Sequence, residues 1–193
     1  MEYFYDASKP KKKEKSYGRL VVQQRMRLAM AFLHPLRPII NETWLLHGNG
    51  NKSKAFGLAL KKLMQDAIEG QYPAQYVVPS LVTISSGLLP GVDIQDVVVA
   101  DQQVEVYFSS KDNPLNRSND EVVLIAYSPE LEIGGKNEDL CYRKNNYLKM
   151  ELPVHFVNNP FHLYLYVRSV NGKQHSKGVY LGGFDGCANK MLI

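Results

Sequence analysis

Two hydrophobic periods divide this chain. Up to about residue 70, apolar positions recur every three or four residues, the spacing of one helix face. Beyond Tyr72-Pro73 they recur every second residue, the spacing of a half-buried strand. Val22, Met26, Ala29, Met30 and Leu33 form the first stripe and predict a helix over 20–34. Pro35 stops it, because proline disfavours the α region for the residue before it. A short helical piece is expected around Ile39 to Trp44, then a loop through His47-Gly48-Asn49-Gly50. Phe56, Leu60, Leu63, Met64 and Ala67 make the stripe of a second main helix over 53–69, with Ser53 as N-cap and Gly70 just past its end.

The second half predicts strands at 94–100, 103–109, 121–128, 146–152, 161–170 and 176–182. Val104, Val106 and Phe108 share one face, as do Leu148, Met150 and Leu152. The run Val122-Val123-Leu124-Ile125-Ala126-Tyr127 is apolar on both faces and reads as a central strand. Asn171-Gly172 reads as a two-residue type I′ hairpin turn, which needs positive φ at both central positions. Many short strands separated by turn signals predict a β-sandwich or barrel.

The fold class is therefore α+β. A helical segment with two main helices is packed on, or joined to, a C-terminal antiparallel β-sandwich. The expected divisions are a basic arm at 1–18, the helical segment at 19–75, the sandwich at 76–184 and a tail at 185–193.

Charge refines this picture. The 193 residues carry +4 overall, and 45% are hydrophobic and 22% charged, as in ordinary globular proteins. Eight basic residues between Lys9 and Arg27 face one acid, Glu14, so this stretch holds +7 and the remainder −3. No apolar run reaches the ~18–20 residues of a membrane span, and the first residues lack a secretory pattern. The expectation is a cytoplasmic protein with unpaired Cys141 and Cys187.

A set of motifs resembles a family of uncharacterised bacterial proteins. They are Arg25-x-x-x-Ala29-x-Ala31-Phe32-Leu33-x-Pro35-Leu36, then Asp66-Ala67-Ile68-x-Gly70-x-Tyr72-Pro73, and Ser85-Ser86-Gly87-x-Leu89-Pro90-Gly91. Leu152-Pro153, His162-x-Tyr164-Leu165 and Ser176-x-Gly178-x-Tyr180-Leu181-Gly182 continue it. The resemblance covers roughly residues 20–184. It implies a domain of unknown function whose second half is similar to a fibronectin type III or immunoglobulin-like sandwich. Where family members carry a Gly-rich segment, this chain carries its lysine-rich arm.

Candidate chemistry is sparse. The five histidines show no metal-ligand spacing, no cofactor motif is present, and no catalytic set stands out. The Gly48-x-Gly50 loop before a helix lacks the full phosphate-loop pattern. One candidate remains in the last hairpin. Tyr164, Tyr166 and Arg168 project opposite the core row Phe161, Leu163, Leu165 and Val167, and such residue types dominate binding hot spots. The alternative for that row is cover by the helices. The expected function is a non-enzymatic protein-binding or assembly module, its partner another protein or a second copy. The other reading is nucleic-acid association through Lys11, Lys12, Lys13 and Arg19, where cations would neutralise phosphates.

Overall fold

The fold is known from a computed structural model, which describes residues 16–100, 102–110, 113–186 and 191–192, with side chains as far as 186. Lys11, Lys12 and Lys13 lie outside the described residues. Helices come first: α1 (Tyr17–Leu33), α2 (Arg37–Thr43) and α3 (Lys52–Asp66). Two short strands follow, β1 (Ile68–Glu69) and β2 (Tyr76–Val77). The longer strands are β3 (Val92–Ala100), β4 (Gln103–Ser110), β5 (Glu121–Ser128), β8 (Tyr147–Glu151), β9 (Pro160–Arg168) and β10 (Val179–Asp185). Between and after them lie β6 (Ile133–Lys136), β7 (Cys141–Tyr142) and β11 (Met191–Leu192).

The chain builds three layers. One sheet runs β11-β10-β9-β5-β6, with β7 also pairing β5; a second runs β3-β4-β8; all these pairings are antiparallel. The larger sheet is the middle layer. Val122, Leu124, Ala126, Phe161, Leu163, Leu165 and Val167 face the smaller sheet and pack with Val104, Val106, Phe108 and Leu148. Val123, Ile125, Tyr127, Tyr164 and Tyr166 face the other way, against Ala29, Phe32, Leu33, Ile40, Phe56 and Leu60 of the helices. This is why β5 has no polar row: it is covered on both sides.

Helix boundaries follow local chemistry. Pro35 ends α1 where expected, but α1 starts at Tyr17, inside the stretch assigned to the arm. Arg19 therefore stands on the first turn of a helix, exposed, and not on an arm. Asn51, not Ser53, caps α3, its Oδ1 accepting from Lys54 N at 3.0 Å. Gly70 has φ +82° but lies in the β1–β2 turn, beyond the helix end. Arg25 donates to Met64 O at 2.5 Å, so α1 satisfies a carbonyl in the last turn of α3.

The last hairpin differs from expectation. Its loop spans residues 170–173, closed by Ser169 N donating to Gln174 O at 2.9 Å. Gly172 has φ +67°, whereas Asn171 is not in the left-handed region, so the turn is not type I′. Ser176 Oγ accepts from Val167 N at 2.8 Å and interrupts the regular ladder. Ser85 to Leu89 then lies along this hairpin arm, with Leu89 N donating to His175 O at 3.1 Å and Gly178 N to Ser85 O at 2.9 Å.

Candidate functional site

The Tyr164, Tyr166 and Arg168 row faces the helices. Tyr164 and Tyr166 are each 1% exposed, so of the two alternatives for the row the structure has cover by the helices and not an open binding face. The reason is the second apolar face of the middle sheet, which the helical layer covers. Tyr164 donates its hydroxyl to Pro79 O at 2.9 Å, and Tyr166 packs beside the His175 ring. Burial raises both phenol pKa values above the ordinary range.

Arg168 is the polar end of that row and ties two layers together. It pairs with Glu121, its cross-strand partner on β5, through Nε at 2.9 Å and through Nη2. Its Nη1 reaches Glu42 Oε1 on α2 at 2.9 Å. His175 and Arg168 hold the Glu42 carboxyl down, to about 2, against the opposing effect of burial. The His175 contact is 3.5 Å and its Nε2 makes no hydrogen bond, so Arg168 is the stronger partner. A second buried cation, Arg143, donates to Gly91 O at 2.7 Å and Pro90 O at 2.8 Å, with Asp120 at 3.5 Å. Burial lowers its pKa while Asp120 opposes the shift. Both arginines join elements and are structural.

The concave site lies elsewhere, at the end of the middle sheet where α1 roofs it. The cavity is about 380 Å³. Leu28, Ala31 and Phe32 of α1 form one wall, and Gln75, Tyr76, Val77 and Pro79 form another. Tyr127, Pro129 and Glu130 at the end of β5, with Pro160 and His162 at the start of β9, complete it. The roof is fixed by Tyr127, whose hydroxyl donates to Phe32 O at 2.8 Å while its ring meets Phe32 edge to face.

The lining is apolar with a few polar atoms. His162 Nδ1 is 3.0 Å from the Tyr180 hydroxyl, and burial pushes the imidazole down to about 4, so it is neutral at physiological pH. Gly183 lies opposite, where a Cβ would come within 2.9 Å of His162 Nδ1. Gln75 Oε1 is buried without a hydrogen-bond partner. Such a site desolvates an apolar group and offers hydrogen bonds at its edge. Ala31, Phe32 and His162 fall in the sequence motifs, but nothing there marked them as one site, because α1, the segment before β3, β5 and β9 each contribute only a few residues.

Among the described residues no cluster of His, Cys, Asp and Glu is arranged to hold a metal ion. Cys141 is buried and unpaired, and burial pushes its thiol up to about 11, while Cys187 lies outside the described residues. No described helix is long and apolar enough to cross a membrane.

Fold and site thus define an α+β protein with antiparallel sheets and an apolar cavity at a helix–sheet junction. No protein-family model matches the chain, and no curated protein matches it.

Proposed function

We propose that this protein is a non-enzymatic protein-binding module built on a fibronectin type III or immunoglobulin-like sandwich, and that the cavity under α1 receives a large apolar side chain of its partner. The strand orders β3-β4-β8 and β10-β9-β5-β6 support the sandwich reading, since they parallel an A-B-E sheet against a G-F-C-C′ sheet. They also support kinship with the bacterial family that the sequence motifs resemble. The observation that carries the binding reading is the cavity, of a size typical of ligand sites, apolar, and edged by the half-exposed Tyr76. Its one imidazole is neutral and turned to Tyr180, an arrangement suited to holding a ligand.

The test is NMR titration of the labelled full chain with N-acetyl-tryptophanamide. At ~0.3 kcal/mol for each of its roughly 18 heavy atoms, a Kd on the order of 0.1 mM is expected. Shifts should concentrate at Ala31, Tyr76 and His162. Ala31→Trp, at an exposed helix position, should fill the mouth and abolish them without lowering stability. Shifts scattered over the surface, or unchanged in Ala31→Trp, would show that the cavity is not the binding site.

One observation favours the nucleic-acid reading for the start of the chain. Arg19 and Arg27 are exposed on α1, which contains no acid and directly follows the Lys11-Lys12-Lys13 stretch. DNA and RNA retention should then fall steeply between ~50 and ~200 mM salt and vanish when Lys11, Lys12, Lys13 and Arg19 are changed to Gln. Retention that survives those changes would reject this reading.

A further inference from the structure

We infer that the outer face of the β3-β4-β8 sheet, on the side away from the helices, is a docking surface for a lysine- or arginine-bearing segment of another polypeptide. The strand register sets its composition. Inward residues of β4 are Val104, Val106 and Phe108, so Glu105 and Tyr107 face out; the pairing places Tyr147 beside Tyr107 and Lys149 beside Glu105. On β3 the register shifts by one residue between Ile94 and Asp96. Ile94 pairs Phe108 on the inner side, and Asp96 pairs Tyr107 on the outer side. The extra residue thus aims a carboxylate outward, a known use of β-bulges. Asp96, Tyr107 and Tyr147 form one row across all three strands.

The two rings have centroids 5.1 Å apart and are inclined at 47°, two walls of an open corner. They are 38% and 36% exposed. The Tyr107 hydroxyl donates to Glu105 Oε2 at 3.1 Å, which fixes a carboxylate at the edge of the corner. Aromatic faces attract cations, and a nearby carboxylate adds Coulomb attraction. No described cation of this chain lies over either ring; Arg37 and Lys144 sit over Phe56 and Tyr142 instead. Among the described residues of these strands, Asp96, Glu105 and Glu151 face outward with Lys149 as the cation between them. The face is therefore acidic and aromatic, the complement of a basic segment. Nucleic acid would be repelled from it.

This proposal is independent of the cavity, which lies on the other side of the middle sheet. Its test is fluorescence anisotropy on the full chain, using a dye-labelled heptapeptide of alternating lysine and glycine and a twin with norleucine for lysine. The lysine peptide should bind at ~50 mM salt and weaken on adding salt, and the norleucine twin should not bind. Tyr147→Ala should weaken binding about 3- to 30-fold, and Tyr147→Phe, which keeps the ring, by no more than about twofold. Asp96→Asn and Glu105→Gln, exposed or half-exposed changes that leave the core intact, should each weaken it and flatten the salt dependence; they serve if Tyr147→Ala unfolds. Equal binding of the norleucine twin would overturn the proposal. So would affinity unmoved by Asp96→Asn and Glu105→Gln, or no binding of the lysine peptide at all.

Discussion

Replacing Glu42 with Gln removes the acidic partner that α2 offers to the sheet while keeping side-chain shape. The ordinary carboxyl value is 4.5, and in the fold it is about 2. At ~1.4 kcal/mol per pH unit the drop sets a ceiling of about 3 kcal/mol. About a third of the side chain is exposed, so solvent screening reduces this to about 1–2 kcal/mol. A carboxyl whose folded value is depressed contributes stability that is complete above 4.5 and is lost as pH falls through 2. Urea denaturation of the wild type and Glu42→Gln is the assay. The gap between them should be about 1–2 kcal/mol at pH 7, narrow below 4.5 and close near 2. Arg168→Met should remove much of the Glu42→Gln effect, leaving only the part that the His175 contact contributes. A gap below about 0.3 kcal/mol at pH 7 would mean that the ion pair contributes no more than an unpaired surface charge and that Glu42 does not tie α2 to the sheet. A gap that persists unchanged at low pH would mean that the ionised carboxylate is not its source.

Two further outcomes test the structural ties. Arg143→Met should cost about 3–5 kcal/mol in urea denaturation, because it strands the buried Asp120, and adding Asp120→Asn should recover part of the loss. Gly87→Ala places a Cβ 2.0 Å from His175 O and should cost about 1–3 kcal/mol, read as about 2–4 °C of Tm per kcal/mol in a chain of this length.

The alternating rows of β4, β8 and β9 were legible because period two assigns each residue to a face. Phe161, Leu163, Leu165 and Val167 lie in the core that their spacing indicates. Alternation does not tell whether the opposite face is wet. Tyr164 and Tyr166 suit a covered face as well as an open one, and only the docking of α1, α2 and α3 decides. The apolar stripe of α1 misleads in the same way. Leu33 and Ala29 are buried, but Val22 and Met26 are 57% and 43% exposed, because the covered face of α1 runs through Val21, Arg25, Leu28 and Phe32 instead. The cavity was invisible for another reason. Pro79, Pro129 and Pro160 are far apart in the chain, and only the fold brings them to one place. The outer corner of Tyr107 and Tyr147 depends on strand order, with β8 lying beside β4 although the β5, β6 and β7 segments intervene in the chain.

The double cover of β5 and β9 leaves their alignment under-determined by hydrophobicity. Elsewhere a one-residue slip would turn oil to water and be rejected; here it would exchange one apolar face for another. Alignment must come from the few polar groups that fit a single offset. Glu121 meets Arg168 at one end of the pair. Asn137 Oδ1 accepts from Leu124 N at 2.8 Å along the other edge of β5, and Ser176 Oγ meets Val167 N on β9. The Tyr127 and Tyr164 hydroxyls reach one carbonyl each, Phe32 O and Pro79 O. These groups work like notches on a key: a slipped pairing would leave several of them buried and unbonded at about 1–3 kcal/mol apiece. The oily strands supply the adhesion, and a handful of polar atoms choose which of the near-equivalent alignments the chain adopts.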